Sequence, residues 1–306
     1  MKKLIIFMFS IFLIIVAGCS SATATNDDGK IKVVTTIAQI GDVVSEVGGE
    51  HVTVQSLMGP GTDPHLYKAV HSDIENMSNA DIIFYNGLNL EGNMNEMFEE
   101  MRSSKPTVAV AETVPKDLLI ADPSNPDIPD PHIWFDIELW KYTVEAIQDE
   151  LSKLDPDHKT DYENNAKAYL EQLDELHAYA IQSIEEIPEE SRVLVTAHDA
   201  FGYFGEAYGM EVIGLQGLST ESEYGLNDVK RIIDILVDRN IKAVFIESSI
   251  NERSINAVVE GAKKDGHEVS IGGELYSDAM GAEGTEEGTY IGMFRHNIDT
   301  IVNALK

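Results

Sequence analysis

Cysteine is nearly absent: Cys19 is the only one in 306 residues. Disulfides therefore cannot brace the folded part, and thiolate metal sites and cysteine nucleophiles are excluded from it. Any transition-metal site must be built from histidine and carboxylate. Basic residues are also scarce, with 22 Lys and Arg against 53 Asp and Glu and a net charge of −31. Phosphate backbones are bound by clustered cations, so nucleic acid is excluded as a partner. The acid excess reads as a solvated, self-repelling surface. Hydrophobic residues at 43% and charged residues at 25% are ordinary for a globular chain, which excludes wholesale disorder. The length suits two domains, or two lobes of one.

A run long enough to span a membrane is missing as well. Leu4 to Ala17 is apolar apart from Ser10 and follows Met1-Lys2-Lys3. It falls short of the ~20 residues that a spanning helix needs and reads as a secretory signal over 1–18. The run ends in Val16-Ala17-Gly18-Cys19, which resembles the lipobox of bacterial lipoproteins, where the cysteine is lipidated and becomes the new N-terminus. Residues 19–30, rich in Ser, Thr, Asn and Asp, then form a flexible tether. Loss of Lys2 and Lys3 with the signal takes the charge from −31 to −33.

From Ile31 short β-rich runs alternate with helical patterns, as expected of an α/β fold of two lobes with mainly parallel sheets. The first half places strands at Ile31–Thr35, His51–Leu57, Asp81–Tyr85 and Thr107–Val110, with helices between. The second half restarts at Arg192–Ala197, Glu211–Gly214, Lys242–Ile246 and His267–Ile271. Between them, Tyr162, Ala166, Tyr169, Leu173, Leu176, Ala180, Ile184 and Ile187 recur every three or four residues. That period predicts one amphipathic helix of about 30 residues, spanning about 45 Å and joining the lobes. The expected organisation is an N-terminal lobe over 31–156, a connecting helix over 157–188 and a C-terminal lobe over 189–306. A single rigid connector implies small hinge motions.

Nine histidines are present, and three of them sit where ligands gather in parallel α/β sheets, beyond the carboxyl ends of strands. His65 lies in the loop Gly59-Pro60-Gly61-Thr62-Asp63-Pro64-His65. His198 closes a predicted strand, and His132 follows the Pro- and Asp-rich stretch 121–131. His65 and His132 each end an Asp-Pro-His tripeptide, in which proline stiffens the loop and lowers the ordering cost of binding. His51, His71, His158, His177, His267 and His296 are read as structural or surface residues, since no acidic or histidine partner sits at ligand spacing on a shared loop. A fourth ligand should be a carboxylate from the second lobe, either Glu247 or Asp278. Asp278 is preferred because a short side chain on a Gly-flanked loop approaches a metal closely. Glu247 then orients an imidazole by accepting its free N–H.

Gly59-Pro60-Gly61-Thr62-Asp63-Pro64-His65, Asp130-Pro131-His132-Ile133-Trp134-Phe135-Asp136, Thr196-Ala197-His198-Asp199-Ala200-Phe201-Gly202, Gly214-Leu215-Gln216-Gly217-Leu218-Ser219 and Phe245-Ile246-Glu247-Ser248-Ser249 resemble motifs of the manganese/zinc-binding lipoproteins of metal ABC importers. These are the cluster A-I solute-binding proteins. The stretch from Leu275-Tyr276-Ser277-Asp278 to Ile301 is similar too, so the resemblance covers about residues 30–306. It implies two α/β lobes joined by one long helix, with a metal buried between them. Carried over by motif, His65 and His132 are ligands from the first lobe, His198 and Asp278 from the second. The stretch 121–131 lacks the histidines of the zinc-importing branch, which favours the manganese-receptor branch.

The resemblance implies a receptor, not an enzyme, that captures Mn2+ or Zn2+ as cargo, hands it to an ABC permease and its ATPase, and works as a monomer. It would be tied to the outer face of the cell membrane by lipid on Cys19. Three imidazoles and a carboxylate suit borderline divalent ions, and such a set holds Zn2+ more tightly than Mn2+ whatever the cargo. Two other functions remain open on sequence: a secreted zinc hydrolase, against which the lack of His-Glu-x-x-His counts, and a surface adhesin.

Overall fold

The computed structural model describes residues 29–122 and 125–306. The predicted signal, Cys19 and the tether through residue 28 lie outside the described residues.

The N-terminal sheet contains β1 (Ile31–Thr35), β2 (Val52–Ser56), β3 (Ile82–Tyr85) and β4 (Thr107–Ala109), all parallel, in the order β2-β1-β3-β4. Crossovers run through α1 (Ala38–Gly48), α2 (His71–Asn79) and α3 (Asn95–Arg102). In α1, Ile40, Val43, Val44 and Val47 fall on one face and are fully buried, the spacing an amphipathic helix needs to cover a sheet. Gly49, at φ 54°, takes the left-handed turn that releases the chain into β2.

The C-terminal lobe pairs β7 (Val193–His198) with β8 (Glu211–Gln216) and β9 (Ala243–Glu247) with β10 (Ser270–Leu275), both pairs parallel. Strand β7 lies alongside β9. The order β8-β7-β9-β10 thus repeats the winding of the first lobe, although no sequence repeat relates the halves. Along β7 the side chains alternate: Val193, Val195 and Ala197 enter a core shared with α7 (Leu226–Asp238) and α8 (Arg253–Lys264), whereas Leu194 joins the larger core.

Helix α4 (Ile137–Leu154) is followed by the connecting helix α5, which runs Lys159–Ile184. All seven stripe residues within it, Tyr162 to Ile184, are buried. The helix is 26 residues rather than about 30, because Pro156 opens a separate 3-10 turn at Pro156–His158 and the chain leaves the helix at Glu185. It also does not stand alone. It packs against α1, α4, α6 (Gly202–Tyr208) and α9 (Tyr290–Leu305), so the lobes share a helical spine. A second difference is the hairpin β5 (Ala121–Asp122) with β6 (Asn125–Pro129), antiparallel, in the stretch read as Pro- and Asp-rich. No helix among the described residues is long and apolar enough to cross a membrane.

Candidate metal centre

His65, His132, His198 and Asp278 come together from four separate loops and strand ends, and each is at most 4% exposed. Each offers one ligand atom, and these atoms lie within 4.8 Å of one another. His65 Nε2 is 3.3 Å from His132 Nε2. Asp278 turns both oxygens inward: Oδ1 lies 3.4 Å from His132 Nε2, and Oδ2 lies 3.4 Å from His198 Nε2 and 3.7 Å from His65 Nε2. Four donors at ~2.1 Å from one ion, arranged tetrahedrally, stand about 3.4 Å apart. The separations around Asp278 and between His65 and His132, 3.3–3.7 Å, are close to that spacing.

The local sequence explains how each group is held. In the loop after β2, Asp63 Oδ1 accepts from the backbone N–H of His65 at 2.9 Å, a turn that directs the imidazole inward. Asp63 Oδ2 accepts from Thr220 Oγ1 of the other lobe at 2.7 Å. The second Asp-Pro-His goes further, since Asp130 Oδ1 meets both the backbone N–H of His132, at 2.9 Å, and its Nδ1, at 2.7 Å. His198 ends β7 and Glu247 ends the neighbouring β9. Glu247 Oε1 accepts from His198 N at 2.9 Å, and Oε2 sits 2.6 Å from Nδ1. This ion-pair contact sets Nδ1 against a carboxylate and leaves Nε2 toward the centre. Asp278 is gripped from the first lobe: Gln39 Nε2 donates to its backbone carbonyl at 3.1 Å, and Trp134 Nε1 to that of Ser277 at 3.1 Å.

The donor set has the polarity of a cation site. Both carboxylate oxygens of Asp278 and Nε2 of His198 are buried without a hydrogen-bond partner among the described residues. Left so, each costs about 1–3 kcal/mol, which a bound cation would offset. Burial works against a charged imidazole at His132, but Asp130 and Asp278 outweigh it and push the group up to about 9. His198 is held well above its ordinary range by Glu247 and Asp278, again against burial. Burial pushes His65 down to about 3. Burial would raise Asp278, yet the His198 and His132 charges hold it well below the usual carboxylate range.

Glu247 thus contacts the imidazole that sequence reasoning linked to an orienting role. Asp130, Gln39, Trp134 and Asn86, whose side-chain amide donates to Pro131 O at 3.0 Å, were not singled out. Asp130 was signalled by the repeated Asp-Pro-His and Trp134 lies in the motif that follows it; Gln39 and Asn86 carried no signal. The six remaining histidines lie away from the centre. The expectation that no acidic or histidine partner sits at ligand spacing on a shared loop fails at His158, and His51 and His296 also have acidic neighbours from elsewhere in the chain, Asp161 and Glu287. His158 Nδ1 is 2.7 Å from Asp155 on its own turn, and His51, stacked on His158 with ring centroids 3.9 Å apart, is 3.1 Å from Asp161. The 3-10 turn at Pro156 brings these groups together, which strand and helix periodicity does not reveal.

The model of the family described as zinc-uptake complex component A, periplasmic, matches residues 33–304. The chain is 52% identical over 299 residues to the manganese-binding lipoprotein MntA of Bacillus subtilis, covering 98% of this chain and 97% of that protein. It is 49% identical over 278 residues to the zinc-binding protein TroA of Treponema pallidum, covering 91% and 90%. The solved structure of the periplasmic zinc-binding protein TroA superimposes with a TM-score of 0.89 over 90% of this chain and 99% of that one.

Proposed function

The chain belongs to the zinc-uptake component A family, and from that premise we propose that it is an extracytoplasmic receptor that binds Mn2+ between its lobes and delivers it to an ABC permease and its ATPase. Zn2+ is a tight competitor at the same site. The observation that carries the reading is the buried cluster of His65, His132, His198 and Asp278, drawn from both lobes with spacings suited to one ion. The relatives' names divide between manganese and zinc. Manganese is favoured by Asp278, whose two inward oxygens raise the donors from four to five and suit an ion that accepts more than four ligands.

In the proposed cycle, lipid on Cys19 holds a monomeric receptor at the outer membrane face, where each buried methylene contributes about 0.8 kcal/mol of membrane affinity. The ion is captured, carried to the permease and released as the lobes part. Burial of all four donors supports transport over hydrolysis, because a catalytic zinc keeps an open position for water and substrate. Metal analysis of protein from its native host, with uptake measured in a deletion strain, tests the reading. Loss of manganese uptake is expected; loss of zinc uptake alone would refute the manganese assignment, and loss of adhesion with uptake intact would favour an adhesin.

A further inference from the structure

The four donors are sealed from solvent, so an ion needs a route to them. Next to them is a cavity of about 300 Å³ lined by three carboxylates, Asp130, Asp199 and Glu206, and by no basic residue. It lies against the segment just before the β5–β6 hairpin and against α6. Asp130 and Asp199 are chain neighbours of His132 and His198, whereas Glu206 is exposed. One oxygen of Asp130 is occupied by His132, but the other, Oδ2, is buried without a partner among the described residues. A Cβ built on Gly202, another lining residue, would stand 2.9 Å from that oxygen. Oδ2 therefore faces the Gly202 wall of the cavity. At ~30 Å³ per water the space holds about ten waters, enough for a divalent cation with six of them. Oxygen donors without imidazole suit a hard, still-hydrated ion.

We infer that this cavity is an antechamber in which hydrated divalent cations gather at Asp130, Asp199 and Glu206 before passing between His132 and His198 to the buried centre. The assignment rests on the receptor reading above. An antechamber lies on the path and not at its end, so its main effect is on the rate of loading.

Stopped-flow fluorescence with MnCl2 tests it on the full chain, using Trp134, whose ring centroid is 5.2 Å from that of His132. Asp199→Asn and Glu206→Gln should each slow Mn2+ association at low salt, the double variant by about 10-fold, with the slowing lost as salt is raised. Millimolar CaCl2 should slow loading of the unaltered protein but not of the double variant. Glu223→Gln, which removes the same charge from an exposed loop outside the cavity, should load at the normal rate. Unchanged rates in the double variant, or equal slowing by Glu223→Gln, would overturn the antechamber. Failure of the unaltered protein to bind one Mn2+ per chain would count instead against the receptor reading.

Discussion

In the C-terminal lobe, the crevice between the ends of β7 and β9 holds His198 and Glu247 side by side. In the N-terminal lobe, wound in the same order, the matching crevice between β1 and β3 supplies no donor. It is filled by the buried Glu91, which accepts from Thr36 Oγ1 at 2.6 Å and from Asn86 N at 2.8 Å. Asn86 in turn holds Pro131, so this lobe spends its switch point on bracing a loop that carries a ligand elsewhere. A donor mounted on a strand end inherits the rigidity of the sheet and needs one carboxylate. The two histidines mounted on first-lobe loops are held instead by a preceding proline and an aspartate turn, and the loop donor Asp278 by contacts from the opposite lobe.

Removing donors should break this comparison, because both lobes are then equally required. His65→Ala, His132→Ala and His198→Ala should each abolish the metal-induced rise in Tm, a loss of about 4 kcal/mol at a metal concentration of 1,000 Kd. Scanning calorimetry with and without MnCl2 reads this directly, and a variant that keeps its shift would show a misassigned donor.

Orienting carboxylates come next. Asp130→Asn and Glu247→Gln should each weaken metal binding about 10–100-fold if, as proposed, each carboxylate orients the imidazole it touches. Equal losses on the strand-end and loop sides, measured by competition with a fluorescent chelator, would sharpen the comparison. No loss at Glu247 would mean that β7 alone positions His198.

Acid acts on both lobes at once, since His132 at about 9 and His198 well above its ordinary range hold protons in the metal-free protein at pH 7. Metal must displace them, so calorimetry in buffers of different ionisation enthalpy should show release of about one to two protons per ion, and affinity should fall as pH falls. The contribution of His132 to the metal-free fold runs oppositely. A raised folded-state value stabilises below the unfolded value of 6.5, and that contribution is lost as pH rises through about 9. Affinity that stays flat between pH 5 and 8 would count against a three-histidine centre.

The smallest effect belongs to the prolines. Pro64→Ala and Pro131→Ala, which loosen only the loop-mounted donors, should cost about 0.4–1 kcal/mol each in metal affinity. Isothermal titration would detect it, and no change would mean that the aspartate turns suffice.

Much of this arrangement was legible in the chain. The three- and four-residue spacing from Tyr162 to Ile184 marked the spine because a packed helix must present one apolar face, and Asp-Pro-His marked two donors because proline before histidine leaves a chemical trace. The β5–β6 hairpin was not legible: Pro126 and Pro129 argue against a strand, and only a two-stranded ribbon pairing on one side tolerates them. The contacts of Gln39 and Trp134 were hidden for another reason. Their partners are backbone carbonyls of the opposite lobe, more than 140 positions away, and no local pattern records such a contact.

A crystal structure of the manganese-loaded protein, with the ion located by its anomalous scattering, is the most direct test. The expected result is one strong peak about 2.0–2.3 Å from Nε2 of His65, His132 and His198 and from the Asp278 carboxylate. A peak beside other residues, or those four side chains standing apart with no ion between them, would contradict the account.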